Sequence, residues 1–554
     1  MSTDESPINR LSSALKFRRV WALLPHIFFV CSLLWVNGRC LWHIHDVVRV
    51  LGSYVYPLDD AYIHLAIAKN LAFHGNWGIN PGEFAGASSS PLYVILVAAL
   101  MRLGGDASGW PLFVNLAAAN FLAFLLWRWW RHDPVPYMVA LVTMIFGSLL
   151  VVQVLVGMEA SLQILSVVAL VQTFVRWQEK GFRGGNPGPF WWLLLATAPL
   201  IRYELLCPAL LLCGCMALEG ARPIDVLRCL LCLVGPVAVL GMFFWLRGGY
   251  FVPYTLLLKN RLQSFPEPLW VHISDAILYI SSTPHFMYLL MGVVFAAWRS
   301  GTGHSSVQGW RRWIRQYGLA AVAVGTLLAH GTLGGRGWLF RYEAYLMAIM
   351  GMVLAAYIKR CLVAVNFPSR STLFFILLYL AVVTHGLYRL HSNQMNILGH
   401  AHVNIFQQQI QTARLLNAYF PEKTIAVNDI GAVSYFTNCH ILDLIGLGNR
   451  TVLSLRLHAP EKLEAYFTSL SYDLMAIYDR WFSDTPFQNR TLIGRFTIPH
   501  NYICGDSTVS YYAPSCDTAR LRYAFNALRS FAPTLPRGVK VELDDWEISK
   551  RESK

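Results

Sequence analysis

The sequence predicts a polytopic α-helical membrane protein with an α/β domain appended at its C-terminal end. Three observations predict it. Hydrophobic residues make up 55% of the 554 residues and charged residues only 14%, with mean hydropathy +0.43, too few charges to solvate a soluble chain of this length. Apolar runs bounded by charges recur at bilayer spacing, and helices are the only open-ended way to cross repeatedly. From about His391 the apolar pattern gives way to short alternating runs such as Thr424–Val427 and His440–Asp443, interleaved with helical stretches such as Val403–Phe420 and Pro460–Leu470; this is the pattern of a small α/β fold. The expected boundaries are a transmembrane module over 1–390, with its first outer loop at 41–90, and an α/β domain with a charged tail over 391–554.

The first apolar run, Val20–Val36, follows Arg10, Lys16, Arg18 and Arg19, which favours a cytoplasmic N-terminus. It is long for a signal-peptide core and no small-residue cleavage site follows, so it reads as an uncleaved span. Asp59 and Asp60 then lie on the far side. Further spans are expected at Pro91–Met101, Leu112–Trp127, Tyr137–Val156 and Leu162–Val175. Phe190–Leu218 is interrupted by Arg202-Tyr203-Glu204 and reads as two short helices meeting there, because an unpaired charge at mid-bilayer costs several kcal/mol. Leu230–Trp245, Ile277–Trp298, Tyr317–Thr332, Ala344–Tyr357 and Leu373–Leu387 complete about eleven to thirteen spans. Lys180, Arg183, Arg299, Arg311–Arg315 and Lys359–Arg360 all read as cytoplasmic. Arg128 and Arg131 do too, yet strict alternation puts them outside. Either a segment near Pro91 is a hairpin or re-entrant, or the bias fails there.

The net charge of +14 does not point to nucleic acid. Much of it lies in short loops, which suits anionic headgroups and phosphate-bearing lipids. Of the 11 cysteines, Cys439, Cys504 and Cys516 lie in the C-terminal region. Cys504 and Cys516 flank the turn-rich stretch GDSTVSYYAPS; they form a disulfide if that region is outside the cytoplasm, or remain two thiols.

The chemistry concentrates in Leu58–Ser90. Asp59 and Asp60 follow Pro57, and Ile63, Ile67 and Leu71 mark one apolar face of a short helix ending near His74-Gly75. One aspartate can cap that helix; a cap does not use two. The loop continues through Asn80-Pro81-Gly82-Glu83 to Ser88-Ser89-Ser90-Pro91. The stretch DDAYIHLAIAKNLAFHGNWGINPGE resembles the first extracytoplasmic loop of the GT-C superfamily of polyprenyl-phosphate-sugar-dependent glycosyltransferases, and within it mycobacterial-type arabinofuranosyltransferases and their bacterial relatives. Gly157-Met158-Glu159 is similar to that family's Gly-Leu-Glu, and Arg202-Tyr203-Glu204 to its Arg-Pro-Glu, with Tyr203 in place of Pro. Tyr250–Asn260 resembles a Pro-Asn-Thr-x-x-x-Lys loop, with Tyr254 where the family often has Asn. Gly335-Arg336-Gly337 and Arg341-Tyr342 resemble the approach to a late span, and Val427–Ala432 and Leu442–Leu447 a strand–Gly–strand pattern.

The resemblance implies inverting sugar transfer from a polyprenyl-phosphate donor to an acceptor hydroxyl on a glycan, lipid or protein, outside the cytoplasmic (inner) membrane, as in cell-envelope glycan biosynthesis. Such a reaction needs a carboxylate to take the hydroxyl proton, expected to be Asp59 with Asp60 as partner or cap, and cations where phosphate charge develops. Arg202, Lys259, Arg261, Arg336 and Arg341 fall near outer helix ends, placed either to hold that phosphate or to snorkel to headgroups. Glu159 and Glu204 are counted with the substrate-binding residues, each also able to form an ion pair with a nearby Arg. No cofactor is required, and metal dependence stays open: His64 and His74 lie near the carboxylates without ligand spacing. Asp429 and Asp443 close expected strands, where ligand, turn and cap roles compete. A transporter or flippase for lipid-linked saccharides, or a non-catalytic binder of them, is the alternative; transporters place ionisable groups mid-span and carry repeats between halves, and no internal repeat is visible here.

Overall fold

Prolines and glycines cut the apolar sequence into helices whose ends gather at two poles. The computed structural model describes residues 7–182, 187–258, 268–300, 309–364, 370–484, 488–515 and 517–544; Arg183, Lys259, Arg261, Cys516 and the tail beyond 544 lie outside them. Among the described residues, five helices are long and apolar enough to cross a membrane: Trp21–Leu51, Trp110–Trp130, Ala160–Glu179, Pro223–Leu246 and Ala344–Leu362. Two bent pairs raise this to seven, Pro134–Gly147 with Leu150–Val156 at 42° and Leu269–Ser282 with Pro284–Ser300 at 91°. Pro91–Gly104, Pro189–Ile201 and Tyr203–Leu218 are shorter apolar helices. The result is a polytopic bundle. Its length-based count falls below the eleven to thirteen expected because several apolar stretches are short or broken. Outward residues such as Leu34 and Val239, 70% and 72% exposed, give it the apolar flank that lipid solvates.

One pole is basic. Lys359 pairs with Asp133 at 3.1 Å, Arg360 donates to the Gln178 side chain at 2.6 Å, and Arg315 to the Gln178 carbonyl at 3.2 Å. Trp127, one residue before Arg128, stacks on Phe29 of the first helix, with ring centroids 5.2 Å apart. Arg128 and Arg131 therefore sit at the N-terminal pole with the other loop cations. The reason is Pro91–Gly104. Its 14 residues span about 21 Å, short of a hydrocarbon core about 30 Å thick, and both of its ends lie at the opposite pole. Ahead of it Ser88 bonds His64 at 3.1 Å; beyond it Asp106 pairs with Lys69 at 3.0 Å and accepts from the Tyr435 hydroxyl at 2.9 Å. Both ends of this helix thus contact the same pole, which is where the strict alternation of crossings expected from the sequence breaks down.

At that second pole the chain from Asp59 to His74 is a 16-residue helix closed by Gly75, whose φ of 70° ends it in the left-handed region. Its residues from Ala61 to Ala68 are all buried, so it is a core element, packed between Pro91–Gly104 and the helix Gly431–Phe436 of the C-terminal region. Pro189–Ile201 and the following helix meet at extended Arg202, as the charges require.

The helix Arg370–Ile405 continues past the expected boundary at 391 and runs through a π-turn at Phe406–Ile410 into the C-terminal region. There a six-stranded sheet has the order β2-β1-β3-β5-β4-β6. β1 (Thr424–Val427), β2 (His440–Asp443) and β3 (Leu474–Ile477) are parallel; β5 (Thr508–Pro514), β4 (Arg490–Thr497) and β6 (Lys540–Leu543) pair antiparallel. β3 is buried along its whole length, as parallel strands covered on both faces are.

Cysteines introduced for membrane-impermeant thiol labelling test the two poles. Ala107→Cys and Glu461→Cys should label from one side and His132→Cys from the other. Opposite sides for Ala107 and Glu461 would mean that Pro91–Gly104 crosses.

Candidate active site

Where the second pole meets the sheet region there is a cavity of about 1150 Å³. Asp59, Asp60, Arg202, Glu204, Arg336 and Arg341 all border it. Glu159 lies behind this wall, 1% exposed. Lys259 lies outside the described residues.

Asp59 does not cap its own helix. Its two carboxylate oxygens accept the backbone N–H groups of Gly431 and Ala432 at 2.7 and 2.8 Å, so it caps the helix Gly431–Phe436 across the junction. Gly431 is required for the approach: a Cβ there would fall 2.0 Å from the Asp59 carbonyl oxygen. Loss of hydration and the nearby Asp429 carboxylate push the Asp59 carboxyl up to about 8, against the pull of the two N–H bonds. Each carboxylate oxygen has two lone pairs, so each keeps one site beyond its N–H partner.

Asp60 turns the other way, to Arg341 at 2.5 Å. Arg341 also donates to the Tyr342 hydroxyl at 2.6 Å, and its Nε has no partner although the residue is 5% exposed. The backbone ahead of it is strained. Gly337, Trp338, Leu339 and Phe340 run left-handed, with φ of 81°, 52°, 61° and 60°. For the three with side chains this costs roughly 1–2 kcal/mol each. The turn is held by Gln153, which donates to the Leu339 carbonyl at 3.2 Å, and by Glu343, which accepts the Gly337 N–H at 2.7 Å. Strain of this kind persists where surrounding structure over-determines it, commonly at functional sites.

Arg202 is held differently. Its guanidinium bonds Glu159 on one side and Glu204 on the other, the latter at 2.5 Å, and lies over the Tyr342 ring. His64 approaches the second Glu159 oxygen at 3.3 Å. Gly157, left-handed at φ 72°, brings Glu159 to the head of Ala160–Glu179. This is a buried two-to-one ion cluster, so Arg202 offers less positive charge to a ligand than Arg336 and Arg341. Arg336 pairs with half-exposed Asp275 at 2.9 Å, stacks 4.0 Å from the Tyr279 ring centroid, and keeps its Nε unpartnered.

The opposite wall comes from the carboxyl ends of the parallel strands: Asn428, Asp429 and Ile430 after β1, Ile445 and Leu447 after β2, and Trp481 after β3. Asp429 accepts from the Tyr478 hydroxyl at 2.7 Å and from Gln409 at 2.9 Å. Asp443 instead takes the N–H groups of Ile445, Gly446 and Gly448, which is a turn role; burial pushes its carboxyl up from the ordinary value. His330 and Arg456 border the cavity and were not singled out from the sequence, nor were Asn428 and Trp481. The one local signal was a strand followed by Asn428-Asp429 and a glycine. Among the described residues no group of three or more His, Cys, Asp or Glu could hold a metal ion. Cys504 faces Gln409 at 3.7 Å, and its expected disulfide partner, Cys516, lies outside the described residues.

A sequence family described as "Domain of unknown function (DUF8728)" matches residues 402–512, from the end of the long helix into β5. No curated protein matches the chain. No solved structure matches it.

The junction can be tested by substitution and by pH. Gly431→Ala should lower stability by about 1–3 kcal/mol through overpacking, seen as a lower apparent Tm. The folded Asp59 pKa of about 8 lies above the ordinary carboxylate value, so its contribution to stability is present at low pH and lost as pH rises through 8. Apparent Tm should therefore fall as pH rises from the ordinary carboxylate range to about 8 and level off above it in the wild type, and that part of the fall should vanish in Asp59→Asn.

Proposed function

We propose that the protein is a membrane glycosyltransferase that moves a sugar from a polyprenyl-phosphate donor to an acceptor hydroxyl, with inversion. The observation that carries this reading is the cavity at the junction. It brings paired carboxylates and the Arg336 and Arg341 guanidiniums together with a leucine-rich stretch of wall that includes Leu206, Leu210, Leu211 and Leu333. An apolar wall suits an isoprenoid chain, and the guanidiniums suit its phosphate.

On this reading the acceptor hydroxyl oxygen attacks the anomeric carbon as the bond from that carbon to the phosphate oxygen breaks. The hydroxyl proton passes to Asp59, whose affinity for a proton matches the task near neutral pH. The leaving phosphate keeps the electron pair, and Arg341 and Arg336 stabilise its growing charge. Asp60 orients Arg341 through their ion pair. The short and bent helices then count among eleven to thirteen crossings. The basic pole is cytoplasmic by the positive-inside bias, and the α/β region works outside the inner membrane. Against a transporter, the ionisable groups of the cavity gather at helix ends under the sheet rather than at mid-span.

Incubation of the protein in nanodiscs with labelled polyprenyl-phosphate sugars tests the reading. Asp59→Asn should fold and bind donor but lose turnover by about 10² to 10⁴, the usual scale for a lost base; Asp60→Asn should lose less. Wild-type turnover should climb with pH and level off above about 8. If both variants turn over like wild type, the carboxylate pair is structural. Donor binding without transfer would leave a binder, and donor movement across the bilayer without transfer a flippase.

A further inference from the structure

The strand-end wall of the cavity carries features that phosphate chemistry does not use. In the order β2-β1-β3 the chain leaves β1 for β2 on one side and returns to β3 on the other. The crevice where parallel connections diverge, outside the carboxyl ends of the strands, is where open α/β sheets bind ligands. Here it opens onto the cavity.

Asn428 closes β1. It is 4% exposed, and its Oδ1 accepts the Tyr478 N–H at 2.8 Å. That bond fixes the orientation of the amide, because a backbone N–H requires an acceptor. The Nδ2 donor then has no partner, and the residue lines the cavity. A buried, unpaired donor calls for an explanation. Beside it Asp429 supplies acceptor oxygen. Trp481 is 39% exposed and lines the same wall, with its ring seated where a Cβ on Gly505 would come within 2.4 Å. On the helix Arg450–His458, Arg456 bonds the Leu444 carbonyl at 2.9 Å and leaves its Nε without a partner.

A buried amide donor, a carboxylate acceptor, a second donor and an aromatic surface complement a ring whose hydroxyls both donate and accept and whose C–H face is apolar. A phosphate or nucleotide fits less well. The glycine-containing loop after β2, which could cradle phosphate, is filled by the Asp443 carboxylate, and Asp429 would repel an anion. We infer that Asn428, Asp429, Trp481 and Arg456 form a carbohydrate-binding subsite at the strand ends of the α/β region, facing the membrane cavity. Calling its occupant the acceptor glycan rests on the glycosyltransferase reading; the binding of a sugar ring does not.

Saturation-transfer NMR on the full chain in nanodiscs tests this, with methyl glycosides of glucose, mannose, galactose and arabinose as probes. At least one should bind. Asn428→Asp keeps the acceptor for the Tyr478 N–H and replaces only the free donor, and Trp481→Leu keeps an apolar side chain. Each should weaken the bound glycoside about tenfold or more, the scale of one lost hydrogen bond or stacking contact, at unchanged elution volume. If one variant fails to fold, the other carries the test. No binding by any of the four probes, or binding unchanged in the folded variants, overturns the subsite. The labelled-donor assay separates the two proposals. Variant-sensitive glycoside binding without sugar transfer in the wild type keeps the subsite and removes the enzyme. Transfer at wild-type rate in both variants, without glycoside binding, does the reverse.

Discussion

The Asp59 carboxylate, shared between the N–H groups of Gly431 and Ala432, is the interaction on which the rest of the architecture turns. The cavity has two walls, one of membrane helices and one of strand ends, and this is a direct polar bond between them. It is seated on a glycine because no side chain fits between the two backbones. The same carboxylate is pressed by Asp429 and by loss of water, so the bond that positions the walls also responds to proton concentration. On the glycosyltransferase reading, structural and chemical roles fall on this one residue, which makes conservative replacement at Asp59 informative about both.

Next to it the protein holds backbone energy in reserve. Three consecutive residues with side chains, Trp338, Leu339 and Phe340, stay left-handed only because Gln153 and Glu343 pin the turn. The turn delivers Arg341 to Asp60 and Trp338 to the cavity wall. Glycine in that run would relieve strain while loosening the guanidinium, so the most stable version of this segment is not the best ordered one. Arg202 illustrates the opposite economy: two glutamates and a tyrosine ring saturate it, and the cluster stiffens the wall without presenting a free cation.

Much of this was legible in the sequence where the signal is local. The Leu58–Ser90 loop stood out by two carboxylates in an apolar chain, and both border the cavity; Arg202-Tyr203-Glu204 declared a helix break because charge cannot sit unpaired in hydrocarbon. The shift near His391 marked the sheet, although the helix Arg370–Ile405 runs straight through that point, since a helix can leave a bilayer without changing its backbone. What was not legible is long-range or geometric. Pro91–Gly104 has the composition of a span and too few residues for one; only the contacts of Asp106 with Lys69 and Tyr435 show that both of its ends lie at one pole. The cap that Asp59 provides belongs to a helix in another part of the chain, which no N-cap rule anticipates. The left-handed φ angles at Trp338, Leu339 and Phe340 go against the preferences of those residues. Asn428 carried no signal of its own in the sequence; only its place at the cavity wall, with the amide Nδ2 unpartnered, distinguishes it.

The separation in sequence between the two sides of that clamp has a consequence for how the protein is made. Asp59 is synthesised 372 residues before Gly431, which at roughly 5–20 residues per second is a delay on the order of 20 to 70 s. Throughout that interval the membrane helices are inserting while the Asp59 carboxylate has no partner and the cavity has only one wall. Closure waits for the final quarter of the chain. A ribosome that stops early therefore releases a bundle with one wall of the cavity and not the other, so synthesis through the sheet region is itself the condition for closing the cavity.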